Sequence, residues 1–172
     1  MEQSLRLTVK PQWDEIEDAR IEVGVYLQSQ GLMRDAVHSL TMVISALIEN
    51  GIKYGSFTEP EDAIAVDIHR NGDTTTVEVI NPLNIKDKAA RNHLTKLDKT
   101  IQWIRGYQDP FEAYVEKLKE VSRRPLKDEE SGLGLVRIAY EGKSILDFFV
   151  SEEGSLNVSA VSHFRGDNHE KD

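Results

Sequence analysis

The chain predicts an α/β (α+β) two-layer sandwich, in which a mixed, mostly antiparallel sheet carries helices on one face. Three observations carry this prediction. Residues 63–70 and 75–80 are apolar runs of period two on either side of Asn71-Gly72, a strong hairpin signal. Asp35 to Ser56 reads as one long amphipathic helix, with Val37, Leu40, Ile44, Leu47 and Ile48 recurring at intervals of three and four. Two more short strands, 144–150 and 155–161, meet at Glu153-Gly154 near the end. Strands and helices that each have one apolar face bury them against one another as two layers.

The elements follow in order. Leu5, Leu7 and Val9 alternate in a first strand over Ser4–Lys10. Pro11 is expected to open a helix, where its missing N–H costs nothing, with Ile16, Ala19, Val23 and Leu27 on one face and a close near Gly31. The long helix and the hairpin come next. Leu94, Leu97, Ile101 and Ile104 mark a further helix. Asp109-Pro110-Phe111-Glu112 starts another with an N-cap, a first-turn proline and a capping glutamate, and Phe111, Tyr114, Val115 and Leu118 give it an apolar face. A last helix runs through Tyr140 to about Gly142.

Length and composition bound the function. At 172 residues, 39% hydrophobic and 30% charged, the chain suits one soluble domain over 1–165 with a helical insertion at 84–130 and a polar tail at 166–172. A net charge of −9 disfavours a general nucleic-acid binder. Without cysteine there is no disulfide, thiol catalysis or zinc–thiolate site. The five histidines show no metal-binding spacing. No apolar run is long enough for a bilayer and no signal-peptide core precedes the first strand, so a cytoplasmic protein with no membrane partner is expected.

Two stretches carry chemistry. Glu49, Asn50, Lys53 and Tyr54 gather in the last turns of the long helix, and Gly55 follows as a stop. An amide, a cation and a phenol together have the groups for a metal ion and a phosphorylated ligand. Ser131-Gly132-Leu133-Gly134-Leu135 then leads into an apolar helix, where glycines let backbone N–H groups approach an anion at a positive helix end. The plain structural alternatives are a helix-terminal asparagine, a cation favoured by the dipole, a boundary aromatic and a helix-entry loop.

With both stretches in this order, the sequence resembles the GHKL family of ATP-binding domains, the Bergerat fold of gyrase and histidine kinases. Glu-Asn-Gly-Ile-Lys-Tyr at 49–54 is similar to that family's N-box, and Ser-Gly-Leu-Gly-Leu at 131–135 to its second glycine box. The small anti-sigma-factor serine kinases of bacterial partner switching look most similar. The resemblance implies a histidine-kinase-like ATPase fold with 84–130 as its lid, and ATP and Mg²⁺ as cofactors. Asn50 is the implied metal ligand, and Asn50, Lys53, Tyr54, Asn81, Gly132, Leu133 and Gly134 the implied nucleotide contacts. Asn81 stands where the family's adenine-binding aspartate would be, in Asn-Pro-Leu-Asn, and the first glycine box is not recognisable. Ala46 stands one turn before Asn50, where a glutamate general base is expected, so hydrolysis should be slow. Arg123, Arg124 and Arg137 have phosphate contact as a minor option beside surface salt bridges. Trp103, Tyr107, Phe111 and Tyr114 read as packing between the lid helices.

Two functions follow as expectations. One is an ATP-dependent serine/threonine kinase acting on a regulatory partner of the anti-sigma-factor-antagonist type, with a homodimer as an option that no heptad run supports. The other is a catalytically weak or inactive module that binds a regulator through its helical insertion.

Overall fold

The computed structural model describes residues 3–123 and 133–164. The elements in order are β1 (Gln3–Val9), α1 (Glu15–Ser29), α2 (Arg34–Tyr54), β2 (Ile64–Asn71), β3 (Thr74–Pro82), α3 (Lys88–Arg105), α4 (Pro110–Ser122), α5 (Leu133–Tyr140), β4 (Ser144–Val150) and β5 (Ser155–His163).

The strands form one five-stranded sheet in the order β1-β2-β3-β5-β4. Every neighbouring pair is antiparallel, which corrects the expectation of a mixed sheet. The chain goes from β3 to β4 through three helices, but β5 is laid between those two strands. β3 and β4 therefore share a direction without being neighbours. Gly72 supplies the left-handed turn of the β2–β3 hairpin with φ +59°, and Gly154 turns β4 into β5 with φ +83°.

Alternation along the strands makes one face apolar. Ile64, Val66 and Ile68 of β2, Val77 and Val79 of β3, Leu156, Val158 and Ala160 of β5, and Leu146 of β4 are buried. α2 lies against β2 and β3 and supplies Leu40, Val43, Ile44, Leu47 and Ile48 to the same core. Each such side chain stabilises the fold by roughly 1.5–3 kcal/mol relative to exposure. The other sheet face carries polar pairs, with Arg6 3.4 Å from Asp67 and the Asn157 amide donating to Glu78 at 3.4 Å, beside the exposed Ile145 and Phe149 of β4.

α1 packs on α2. It begins at Glu15 rather than at Pro11, because the chain first turns, with the Gln12 N–H donating to the Lys10 carbonyl and the Glu15 N–H to the Gln12 carbonyl. α5 packs against α2 and β4, α3 against α5 and β4, and α4 against α5. The starts of α3 and α4 follow the capping logic of the sequence. The Asp87 carboxylate accepts from the Ala89 N–H at 3.2 Å, and that of Asp109 from the Phe111 N–H at 3.0 Å.

Candidate functional site

The end of α2 and the end of β3 are latched together. The Ser56 N–H donates to the Pro82 carbonyl at 2.8 Å, and the Ser56 hydroxyl accepts from the Asn84 N–H at 3.0 Å. Gly51, on the inner side of α2, allows this approach. A Cβ there would lie 3.3 Å from Ile64 Cδ1 and 3.4 Å from Asn81 Oδ1.

This contact decides the role of Asn81. Its side chain is 2% exposed, and its amide donates to the Pro82 carbonyl at 3.1 Å. Asn81 is thus part of the join between helix and sheet. Asn50, one residue before Gly51, is half-buried, and its amide bonds to no described residue. Lys53 is exposed and its ammonium lies 5.2 Å from the Tyr54 ring centroid. Tyr54 turns to α3, where its ring stacks on His93 with centroids 3.6 Å apart. The four residues 50, 53, 54 and 81 therefore collect at one end of the molecule, as the sequence suggests. Two of them, Tyr54 and Asn81, are engaged in packing.

On the α5 side, Leu133 is half-buried, and Gly134 is exposed with open space where a Cβ would stand. Gly132 lies outside the described residues, as do Arg124, Lys127, the acidic run 128–130, Ser131 and the tail from 166. Arg137 is committed within its own helix. Its Nε and Nη2 donate to the Glu141 carboxylate at 3.2 and 3.0 Å. That hydrogen bond is the main reason its pKa is raised, against the opposing effect of desolvation, with the charges of Glu141, Tyr114 and Glu49 adding to it. Arg137 is thus a surface ion pair with Glu141, and α5 itself packs against α2.

Among the described residues no group of three or more His, Asp or Glu could hold a metal ion. A Mg²⁺ ion at this end would take one protein ligand, the Asn50 amide, with phosphate oxygens and water completing its shell. The half-buried, unbonded amide is compatible with that role. Ala46 is one turn away and offers no base.

A second feature lies on α4 and α5. Tyr107, Phe111, Glu112, Val115 and Glu116 line a cleft of about 360 Å³. Phe111 and Tyr114 each hold their rings 5.2 Å from Tyr140. Phe111, Leu118 and Tyr140 remain 47%, 40% and 37% exposed. Sequence periodicity places Phe111 and Tyr114 on a packing face, and that holds for Trp103 and Tyr107, which meet edge to face at 5.0 Å. It does not hold for Phe111. Helical spacing marks an apolar stripe but not whether the fold covers it.

No helix among the described residues is long and apolar enough to cross a membrane. Compared with known proteins, the chain matches no family model and no curated protein. It is similar to a chain in the crystal structure of the SiaB–SiaC complex from Pseudomonas aeruginosa, with a TM-score of 0.68 and 23% identity over 91% of this chain and 88% of that one. That likeness supports the sandwich fold. It overturns the identification as a GHKL domain related to anti-sigma-factor kinases, since no family model matches and the similar structure is described as the SiaB–SiaC complex. Short boxes such as Glu-Asn-Gly-Ile-Lys-Tyr mislead because a helix end and a helix-entry loop use the same residue types for their own reasons.

Proposed function

We propose that this protein is a regulatory module that works by holding a second protein, as one member of a partner-switching pair. The observation that carries this reading is the contiguous aromatic surface of Phe111, Tyr114 and Tyr140 beside the cleft. A joined apolar patch on a soluble domain marks an interaction site, whereas single exposed side chains need no explanation. Support also comes from the similar solved structure, which is a complex of two proteins.

The reading is tested in source cells by expressing a tagged chain at its native level and sizing it in gentle extracts. The expected result is elution in a complex with one dominant protein, and the same complex re-forms from the two purified components. Elution of all the chain at its own 19.5 kDa overturns the reading.

A second reading is favoured by the free Asn50 amide and the open space at Gly134. We propose that Mg-ATP binds between the last turns of α2 and the start of α5, with Asn50 on the metal and Lys53 near phosphate. A phosphoryl group could then pass to a hydroxyl of the partner. Because Ala46 supplies no general base, such transfer would rest on positioning and metal electrostatics. Calorimetric titration of Mg-ATP into wild type and Asn50→Ala checks it. Binding that the substitution abolishes supports the pocket, and no heat with wild type at millimolar nucleotide removes it.

A further inference from the structure

α4 has more apolar surface than the fold uses. Over its 13 residues only Ala113 is fully buried. Phe111, Val115 and Leu118 stand at i, i+4 and i+7, so they form one stripe along the helix. Phe111 and Val115 also line the shallow cleft, together with Tyr107. Its two remaining lining residues are acidic, Glu112 and Glu116, one turn apart on α4. Glu116 has an ion pair with Lys119 at 3.3 Å, whereas Glu112 has no basic partner among the described residues. An apolar trough edged by carboxylates is complementary to a segment with apolar anchors and flanking cations. The net charge of −9 strengthens attraction to such a segment.

A second exposed apolar stripe exists on α1, where Ile21 and Val25 are 59% and 62% exposed. That helix already buries Ile16, Ala19, Val23 and Leu27 on its other face. The α4 surface is the better receptor, because it joins apolar side chains to two carboxylates and so fits a partner of one charge sign.

We propose that the α4 cleft is the docking site for a basic amphipathic segment of the partner protein. Its apolar side chains enter between Tyr107, Phe111 and Val115 and its lysines or arginines face Glu112 and Glu116. This deepens the partner-binding reading above and rests on it.

The test uses the full chain and two synthetic peptides of equal length. One is amphipathic with leucine and lysine, and the other has every lysine replaced by glutamate. Binding is read by fluorescence anisotropy in low and physiological salt. The expected result is binding of the basic peptide only, weakened at least about tenfold by Phe111→Ala and by the pair Glu112→Lys/Glu116→Lys, as for central interface residues. The pair Asp18→Lys/Glu22→Lys makes the same change in net charge on exposed positions of α1, and it should weaken binding less than about threefold. Circular dichroism confirms that each variant is folded, which the exposure of Phe111 favours. Equal loss with both charge-reversed pairs means attraction to net charge alone and overturns the proposal. Loss with Val25→Asp but not Phe111→Ala moves the surface to α1 and also overturns it, as does binding of neither peptide. In each of these cases a complex recovered from cells leaves the broader partner-binding reading standing.

Discussion

Tyr54 at the end of α2 and His93 on α3 stack face to face, with ring centroids 3.6 Å apart and planes within 9°. The pair ties α3, the first helix after the β2–β3 hairpin, to the end of α2, although the two residues are far apart in sequence. Offset or stacked aromatic pairs contribute about 0.5–1.5 kcal/mol beyond their buried area. A double-mutant cycle of Tyr54→Ala and His93→Ala, followed by urea unfolding, should give a coupling energy in that range. Additive losses would show that the stack holds nothing together. Tyr54→Phe keeps the ring, so comparing it with Tyr54→Ala isolates the share of the coupling that the stacked rings carry.

Asn81 is sealed by Gly51 on one side and donates to the Pro82 carbonyl on the other. Asn81→Asp replaces that donor with a carboxylate beside a carbonyl oxygen, in a site 2% exposed. Burial and this repulsion raise the new carboxyl's pKa in the folded state. A raised folded pKa gives stability that is fully present below the unfolded value, about 3.9, and lost as pH rises through the folded value. The variant should therefore be destabilised by about 1–3 kcal/mol at neutral pH, with the deficit shrinking in acid. Denaturant midpoints measured against wild type at several pH values check this.

Gly142 ends α5 in a place with no room for a side chain. A Cβ there would lie 2.5 Å from the Ile138 carbonyl oxygen and would also strike Val43 on α2. Gly142→Ala must push α5 away from α2 or strain its last turn, at a cost of about 1–3 kcal/mol. Thermal unfolding should fall by several degrees. By contrast, Gly134→Ala has open space and should change stability little.

The Tyr26 hydroxyl is buried and has no hydrogen-bond partner among the described residues. Desolvation raises its pKa above the ordinary 10.0, partly offset by the positive charge of Arg70. Stability tied to the neutral phenol is present below the unfolded pKa and is lost as pH rises through the folded one, so this group weakens the fold above about pH 10. Tyr26→Phe should be neutral or mildly stabilising at pH 7, since it removes an unpaired polar atom. It should also flatten the alkaline limb of a stability–pH profile. A loss above about 1 kcal/mol at pH 7 would reveal a partner for the hydroxyl.

What the sequence by itself determined is local. The five strands and the long helix were legible because period two and period 3.6 record which face of each element is buried. Asn71-Gly72 specified its hairpin, and Asp109 its helix start, because turn and cap energies depend on a few adjacent residues. The grouping of Asn50, Lys53, Tyr54 and Asn81 at one end was legible too, since α2 and β3 both end there. Tertiary structure decided the rest. The placement of β5 between β3 and β4, the burial of Asn81 under Gly51, the stack of Tyr54 on His93 and the exposure of Phe111 beside Tyr140 all depend on contacts between distant segments. A side chain's periodicity states that a face is apolar. Only the packing of the whole chain determines whether another part of the same molecule covers that face or leaves it for a partner.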